Sequence, residues 1–347
     1  MQPYNGGNDP QRGGVYSTGH GFYNPYAEPE WKREKKRIRA AGNGIGLASV
    51  GYVAISFGAV LFLYAAIDVV NALRGGNFME VGENAQWVVT LITYILSLIV
   101  PFGIYALCIQ MPIGAAFPFR KMRGDITVGG IFVGLGAGIV ASYATSYLEQ
   151  ALGLFGIGIS MPELEIPTAL SAKIIYIITM TVAPAFIEEM VFRGIVMQSL
   201  RRFGDMFALV SSALIFGIFH LNLIQTPYAF ILGLCIGYFV MRTGSLWVGV
   251  IMHFLNNSIA TVLTLAEPYC SEEMFLFINL AYSLAAVMCG IIALCLLLVK
   301  YRDMFRFGDA PGVLSSGKRA AYFLTSPALI IAMLTAAVLT AQYIEIL

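Results

Sequence analysis

Five ionisable residues lie in the middle of otherwise apolar stretches of this chain, and their types are those used in acid–base chemistry. They are two adjacent carboxylates, one arginine and two histidines, namely Glu188, Glu189, Arg193, His220 and His253. Each ionisable group placed in hydrocarbon costs roughly 2.5–3.5 kcal/mol on insertion scales, so such residues indicate function by default. We therefore predict one functional site within the apolar part of the molecule.

The spacing of these residues suggests different roles for the two carboxylates. Adjacent helical residues point about 100° apart, so Glu188 and Glu189 cannot serve one site equally. Arg193 follows Glu189 by four residues, which is the spacing of an ion pair on one helix face. Glu189 is thus the expected partner of Arg193, and Glu188 is left free for general-base chemistry.

A second helical pair contributes an imidazole and an amide. Asn257 follows His253 by four residues, so both side chains share one face of a helix. We expect them to converge on one point. That point could bind a metal, orient a water molecule or stabilise an oxyanion.

The composition identifies the solvent in which this chemistry takes place. Of the 347 residues 58% are hydrophobic and 12% charged, with mean hydropathy +0.75. Soluble domains carry about 25% charged residues, so the chain is a membrane protein rather than a soluble, disordered or fibrous one. The five cysteines include no CxxC pair, which favours neither a disulfide framework nor a thiolate metal site.

Nine apolar stretches approach the 20 or so residues that a transmembrane helix needs. They cover residues 44–73, 86–110, 127–148, 172–200, 206–221, 227–241, 244–266, 274–299 and 322–345. The predicted fold is therefore an all-α polytopic bundle of about nine spans, or eight if the short fifth and sixth count as one. The bias of Lys and Arg between loops places the N-terminus in the cytoplasm.

The intramembrane residues share one depth in this topology. Counted from the cytoplasmic ends of their spans, Glu188, His220 and His253 lie roughly 20, 22 and 17 Å inward at helical rise. Three separate spans thus place an ionisable group near mid-bilayer. We expect these side chains to meet in one cavity.

The chain divides into four predicted segments. Residues 1–41 are rich in Gly, Asn, Pro and charge without an apolar period, which predicts a disordered cytoplasmic arm. Residues 42–171 form the N-terminal transmembrane helices, and 172–266 form a core that holds every intramembrane charge. Residues 267–347 form the C-terminal transmembrane helices.

Three motifs resemble those of one protein family. Residues 188–194 read EEMVFRG and resemble the EExxxR signature, in its EExxFRG form, of the CAAX protease and bacteriocin-processing family of intramembrane proteases. Residues 216–220 (FGIFH) resemble the second motif, FxxxH, and residues 253–257 (HFLNN) the third, HxxxN or HxxxD. The motifs occur in the family's order, one to each predicted span, and together they are specific. The resemblance covers about residues 173–266.

This resemblance implies a helical membrane bundle that cleaves a peptide bond near the C-terminus of a substrate in a buried cavity. The implied substrates are prenylated CAAX proteins in eukaryotes and largely unassigned proteins in bacteria. The implied roles are water activation by Glu188 and His220, oxyanion stabilisation by His253 and Asn257, and support of the helix by Glu189 and Arg193.

A metal-dependent mechanism stays open at the level of sequence. The family is often described as metalloproteases, and Glu188, His220 and His253 would then be ligands of a zinc ion that keeps one position for water. The zincin motif HExxH is absent from the chain. Zinc is therefore an uncertain cofactor.

The expected partners are the lipid bilayer and a protein or peptide substrate, with no nucleic acid. We expect a multi-pass integral membrane protein, in the plasma membrane if the source is bacterial. The many aromatic residues are interpreted as lipid-facing and interfacial, without a role at the site. A polar link that includes Asn222 and Gln225 is interpreted as a route for water.

Two other functional classes fit part of these observations. One is a secondary transporter in which the carboxylates and histidines form a proton relay. The other is a catalytically silent immunity or scaffold protein. The absence of visible repeats disfavours the transporter, and the intact set of Glu188, His220, His253 and Asn257 disfavours the scaffold.

Overall fold

The computed structural model describes residues 28–74, 82–160, 165–308 and 312–346. Thirteen α-helices follow one another along these residues: α1 (Glu30–Arg74), α2 (Glu83–Cys108), α3 (Ile113–Ala116), α4 (Gly124–Leu154), α5 (Leu170–Ile177), α6 (Ala183–Glu188), α7 (Met197–Leu200), α8 (Asp205–Ile218), α9 (Gln225–Thr243), α10 (Leu246–Ala266), α11 (Glu272–Lys300), α12 (Ser316–Leu324) and α13 (Pro327–Ala341). Two short strands, β1 (Ile157–Ile159) and β2 (Ile344–Ile346), pair antiparallel. The predicted all-α polytopic bundle is confirmed.

Seven helical stretches among the described residues are long and apolar enough to cross a membrane. They are α1, α2, α4, the composite stretch Leu170–Phe203, α9, α10 and α11. The composite stretch contains α5, α6 and α7, which are joined by π-helical turns over Ile178–Val182 and Glu189–Val196. Helices α12 and α13 provide an eighth span if they are counted together.

Two of the nine predicted spans differ from the structure. The fifth, α8, has 14 residues, which reach about 21 Å and fall short of a hydrocarbon core of about 30 Å. The predicted span 322–345 is not one helix, because α12 and α13 meet at a bend of 68°. Pro327 opens α13, and a proline both removes a helical hydrogen bond and disfavours the helical conformation of the residue before it.

The predicted arm also ends earlier than residue 41. Helix α1 begins at Glu30, so its charged run is helical, while residues 1–27 lie outside the described part of the chain. The run is rich in Lys, Arg and Glu, which are good helix formers, and Ile38 within it is fully buried. The predicted arm therefore includes the first turns of α1, which its polar composition did not indicate.

A nearly buried carboxylate fixes the start of α1 against two other parts of the bundle. Glu34 accepts hydrogen bonds from the backbone N–H groups of Val313 and Leu314 at 2.8 and 3.0 Å. It also pairs with Nε of Arg319 at 2.7 Å, and Nη1 of Arg319 donates to the carbonyl oxygen of Phe203 at 2.9 Å. Because Phe203 ends the composite stretch, this contact joins α1, α12 and the stretch that carries Glu188.

Glycines on α4 let α9 and α10 approach closely. A Cβ atom at Gly130 would lie 2.7 Å from the ring of Phe239 on α9. One at Gly134 would lie 2.5 Å from Cε of Met252 on α10. Small residues at such crossings allow close van der Waals packing inside a membrane. Helix α4 therefore holds α10, the helix that carries His253.

Buried phenylalanines pack α2 against the composite stretch and α8. Phe192 lies at the centre of this aromatic cluster, with ring centroids 6.0 Å from Phe102, 5.2 Å from Phe216 and 5.2 Å from Phe219. Phe102, Phe192 and Phe216 are at most 1% exposed. Tilted and edge-to-face ring contacts add to the energy of burial. The cluster thereby fixes the relative position of three elements that surround the site.

Removal of Glu34 tests the link between α1 and the rest of the bundle. We expect Glu34→Ala to lower the free energy of unfolding by about 3 kcal/mol, because it leaves the buried guanidinium of Arg319 without its carboxylate. Denaturant unfolding in detergent, followed by circular dichroism, measures the change. Lys36→Ala is the matched control, since Lys36 on the same helix is 73% exposed in its pair with Glu28 and such pairs contribute at most about 1 kcal/mol. Equal losses in both variants would contradict the prediction.

Candidate active site

The backbone around Glu188 is irregular in a way that its sequence explains. Glu188 is the last residue of α6, between the two π-helical turns of the composite stretch. Such turns occur frequently at functional sites because they shift the direction of the following side chains. Pro184 has no N–H, so it cannot donate the α-helical hydrogen bond to the carbonyl oxygen of Met180.

The side chain of Asn257 supplies a donor at this position. Its Nδ2 donates to the carbonyl oxygen of Met180 at 3.2 Å, and its Oδ1 accepts from Asn256 at 3.2 Å. Asn256 in turn accepts a hydrogen bond from the hydroxyl of Tyr228 at 2.9 Å. The amide of Asn257 therefore faces the backbone before Glu188, and it does not converge with His253 on one point as its spacing suggested.

Glu189 forms a fully buried charge cluster with Arg193 and His253. Its Oε1 lies 2.9 Å from Nη1 of Arg193 and 3.0 Å from Nδ1 of His253. The side chains of Glu189 and Arg193 are 0% and 1% exposed, and the guanidinium lies 4.1 Å from the ring centroid of Phe216. The ion pair expected from the spacing of Glu189 and Arg193 is present, and it also holds His253.

Glu188 lies beside this cluster, and its two carboxylate oxygens have different environments. Oε1 accepts a hydrogen bond of 2.6 Å from the hydroxyl of Tyr94. Oε2 has no hydrogen-bond partner among the described residues and lies 3.8 Å from Nε2 of His253. His253 thus lies between the two carboxylates, with one ring nitrogen towards each.

His220 lies in the turn after α8, although the predicted span 206–221 placed it inside a helix. Helix α8 ends at Ile218, and Nδ1 of His220 lies 2.9 Å from the carbonyl oxygen of Phe216. A carbonyl oxygen only accepts, so Nδ1 carries the hydrogen and Nε2 is the acceptor in the neutral ring. The short helix therefore presents a basic nitrogen at its end.

The turn that carries His220 has its own constraints. Leu221 has φ 51°, an uncommon left-handed conformation for a residue other than glycine. Asn222 is buried, and its Oδ1 accepts from the backbone N–H groups of Ile224 and Gln225 at 2.8 and 3.0 Å. The polar link interpreted as a water route contains a cap for the start of α9.

A cavity of about 160 Å³ opens between these elements. Its lining consists of Tyr52, Tyr94, Leu98, Glu188, Phe192, Phe219 and His220. The cavity has room for several water molecules and offers them polar partners. Glu188 and His220 thus line one cavity, whereas His253 is 3% exposed and lies behind Glu188.

The sequence analysis did not include Tyr52 and Tyr94 in the site, because it interpreted the aromatic residues as lipid-facing and interfacial. Both line the cavity, and they come from α1 and α2, outside the segment that carries the motifs. A tyrosine in the middle of an apolar stretch was the available signal, because its hydroxyl usually finds a partner when it is buried. The interpretation of the aromatic residues was wrong at these two positions.

The three residues considered as zinc ligands do not form a metal site in this arrangement. Zinc needs its nitrogen and oxygen ligands within about 2.2 Å of one point. No group of three His, Cys, Asp or Glu side chains with such an arrangement occurs in the described ranges. His253 already faces two carboxylates, and His220 is oriented by the backbone of α8. The steps proposed below therefore use the side chains alone.

A second, apolar groove meets the cavity. It runs between α1, α8 and α13 and shares Tyr52 and Phe219 with the cavity lining. Its remaining lining is Ser49, Val53, Ile215, Ile218, Leu221, Leu329, Ala332, Met333 and Ala336. With one serine among these residues, the groove suits an apolar group.

Gly249 provides a test of the buried charge cluster. A Cβ atom at this position of α10 would lie 2.6 Å from Oε2 of Glu189 and 2.8 Å from Cγ2 of Val240. We expect Gly249→Ala to lower the free energy of unfolding by about 1–3 kcal/mol, because overpacking forces the buried side chains to move. Unfolding in detergent measures the loss.

Gly103→Ala is the control for this substitution. Nothing lies within 4 Å of the position that its Cβ would take on α2. Alanine is favoured over glycine inside a helix by roughly 0.5–1 kcal/mol, so stability stays level or rises. A Gly249→Ala protein as stable as the wild type would show that the cluster tolerates displacement.

Comparison with known proteins identifies the family of one segment of the chain. Residues 170–259 match the family model described as type II CAAX prenyl endopeptidase Rce1-like, which covers 90 of the 347 residues. No curated protein and no solved structure matches the chain. The matched segment begins with α5, ends within α10 and contains all three motifs. The resemblance is confirmed for this segment: residues 170–259 match an Rce1-like domain of the CAAX protease family, which in general supports an intramembrane peptidase.

Proposed function

We propose that the protein hydrolyses a peptide bond of a membrane-associated protein or peptide with a water molecule activated by Glu188 and His220. The observation that carries this proposal is the shared cavity, which the side chains of Glu188 and His220 both line beside space for water.

The reaction begins with a water molecule held between Glu188 and His220. The carboxylate of Glu188 takes one proton while Nε2 of His220 accepts a hydrogen bond from the other O–H group. The water oxygen then forms a bond to the carbonyl carbon of the substrate, and the carbonyl oxygen becomes an oxyanion. Breakage of the C–N bond follows, and the proton on Glu188 passes to the leaving nitrogen.

The oxyanion needs a hydrogen-bond donor in a site that contains little water. His253 is our candidate, because its Nε2 lies 3.8 Å from Oε2 of Glu188. Its Nδ1 already donates to the carboxylate of Glu189, so Nε2 is a donor only in a ring that carries both protons, and the proposed role requires that form. Glu189 and Arg193 hold its ring from the other side. Asn257 contributes indirectly in this proposal, since its contact with Met180 supports the helix before Glu188.

The apolar groove indicates which substrates fit. The groove of about 20 Å³ shares Tyr52 and Phe219 with the wall of the cavity, so a groove widened by the substrate would hold an apolar group near the scissile bond. For a group that leaves water, such an apolar surface favours binding in proportion to the area buried. We propose that the enzyme prefers peptides with an apolar group at this point, as CAAX-type processing implies.

We also propose an orientation in the membrane and a location for the protein. The bias of Lys and Arg favours a cytoplasmic N-terminus, and a bacterial source would place the protein in the plasma membrane. The four predicted segments, 1–41, 42–171, 172–266 and 267–347, likewise stay a proposal, although the helix of α1 moves the first boundary to about residue 29.

Isosteric substitutions test the catalytic pair. We expect Glu188→Gln and His220→Gln each to lower kcat at least 100-fold, because general-base contributions are typically 10²- to 10⁴-fold. Cleavage of a fluorogenic peptide set in lipid nanodiscs measures the loss. Glu272→Gln, at the exposed start of α11, is the control and keeps full activity.

Two results would contradict this proposal. One is a Glu188→Gln protein with wild-type activity. The other is one zinc per chain by elemental analysis, lost together with activity in His220→Gln, which would establish the metal-dependent mechanism instead.

Filling the apolar groove tests the proposed substrate preference. We expect Ala332→Phe on α13 to raise KM at least fivefold for peptides with an apolar residue at the cleavage site, because the new ring occupies the space. Ala337→Phe on the exposed face of α13 is the matched control and leaves KM unchanged. Steady-state kinetics on both variants measure KM. Equal KM values for Ala332→Phe and Ala337→Phe would show that the substrate does not bind in the groove.

A further inference from the structure

One hydroxyl group in the cavity touches the proposed base directly. The hydroxyl of Tyr94 donates to Oε1 of Glu188 at 2.6 Å, a length typical of a charge-assisted hydrogen bond from a hydroxyl to a carboxylate. Tyr94 belongs to α2, 76 residues before the matched segment begins at residue 170. Tyr94 therefore lies outside the segment that carries the three motifs, although its partner Glu188 belongs to the first of them.

The position of this hydroxyl is well fixed. The first turns after Tyr94 on α2 are held by Leu98 and Phe102, which are 2% and 0% exposed, and Phe102 belongs to the aromatic cluster. A tyrosine has two rotatable side-chain bonds before its rigid ring, so a fixed backbone sets the hydroxyl closely. The donor thus meets Glu188 from a rigid neighbouring helix.

The contact makes the two oxygens of Glu188 inequivalent. Oε1 is occupied by Tyr94, while Oε2 has no hydrogen-bond partner among the described residues. We propose that Tyr94 is a positioning residue that holds Glu188 by Oε1 beside the cavity, so that the carboxylate stays available to water and does not close on His253. This inference rests on the proposed function.

A competing arrangement explains why Glu188 needs such a hold. Nε2 of His253 lies 3.8 Å from Oε2, slightly beyond hydrogen-bond distance. The terminal torsion of a glutamate is broad, so the carboxylate rotates easily when nothing holds it. Without Tyr94, Glu188 would turn towards His253 and form a closed pair. The base would then be unavailable to water in the cavity.

Tyr94→Phe tests the proposal because it removes the hydroxyl and keeps the ring. We expect kcat to fall about 10- to 100-fold, the range expected for one hydrogen bond to a charged group. KM changes less than twofold, since substrate contacts stay in place. Steady-state kinetics in nanodiscs separate the two constants.

Tyr105→Phe is the matched control on the same helix. Tyr105 is also buried, and its hydroxyl lies 3.2 Å from Oγ of Ser199, outside the cavity lining. Its loss removes a buried tyrosine hydrogen bond without touching Glu188. We expect its kcat to stay within twofold of wild type.

A spectroscopic readout makes the test independent of activity. The carboxylate infrared band that disappears in Glu188→Gln should shift in Tyr94→Phe and keep its position in Tyr105→Phe. A Tyr94→Phe protein with wild-type kcat and an unshifted band would overturn the inference while an active wild type upholds the proposed function. If the wild type cleaves no peptide, the proposed function fails. The role of Tyr94 in proton transfer falls with it, while the band shift still decides whether Tyr94 holds Glu188.

Discussion

A carboxylate with no exposed surface in the middle of a helical bundle must meet positive charge or strong hydrogen-bond donors. Glu189 meets Arg193 at 2.9 Å and His253 at 3.0 Å, and the surrounding helices are shaped around these contacts. Gly249 leaves room for its second oxygen, while the guanidinium covers the ring of Phe216 on α8. This buried charge cluster thus fixes the relative positions of the composite stretch, α8 and α10. Because Glu188 is the residue before Glu189, the position of Glu189 also sets the direction in which Glu188 points.

Local spacing within one helix was a good guide for Glu189 and Arg193, but the same spacing of His253 and Asn257 on α10 did not bring those two side chains to one point. The four-residue interval between Glu189 and Arg193 correctly predicted their contact, because helix geometry alone brings such residues together. Depth counting predicted that Glu188, His220 and His253 meet in one cavity. Glu188 and His220 line the cavity, whereas His253 is buried behind Glu188, and His220 lies in a turn and not within a helix. The residue count still estimated the depth of His220, because α8 ends only two residues before it.

Contacts between distant parts of the chain were beyond such reasoning. Tyr94 reaches Glu188 across 94 positions, and Glu34 reaches Arg319 across 285, so no periodic pattern announces either pair. The position of Asn257 depends on a carbonyl group that Pro184 leaves without its helical donor, which requires the packing of two helices to be known. Sequence patterns predicted the elements and the chemical types, whereas the hydrogen-bond partners emerged only from the packed structure.

The cavity is assembled from two sources. The matched segment provides Glu188 and His220, whereas Tyr52, Tyr94 and Leu98 come from α1 and α2, and α13 borders the adjoining groove. Residues 170–259 alone therefore do not enclose the cavity, since an isolated segment would lack one of its walls. Under the proposed function, substitutions on α1, α2 and α13 would change which substrates fit the cavity and the groove, while Glu188 and His220 stay unchanged.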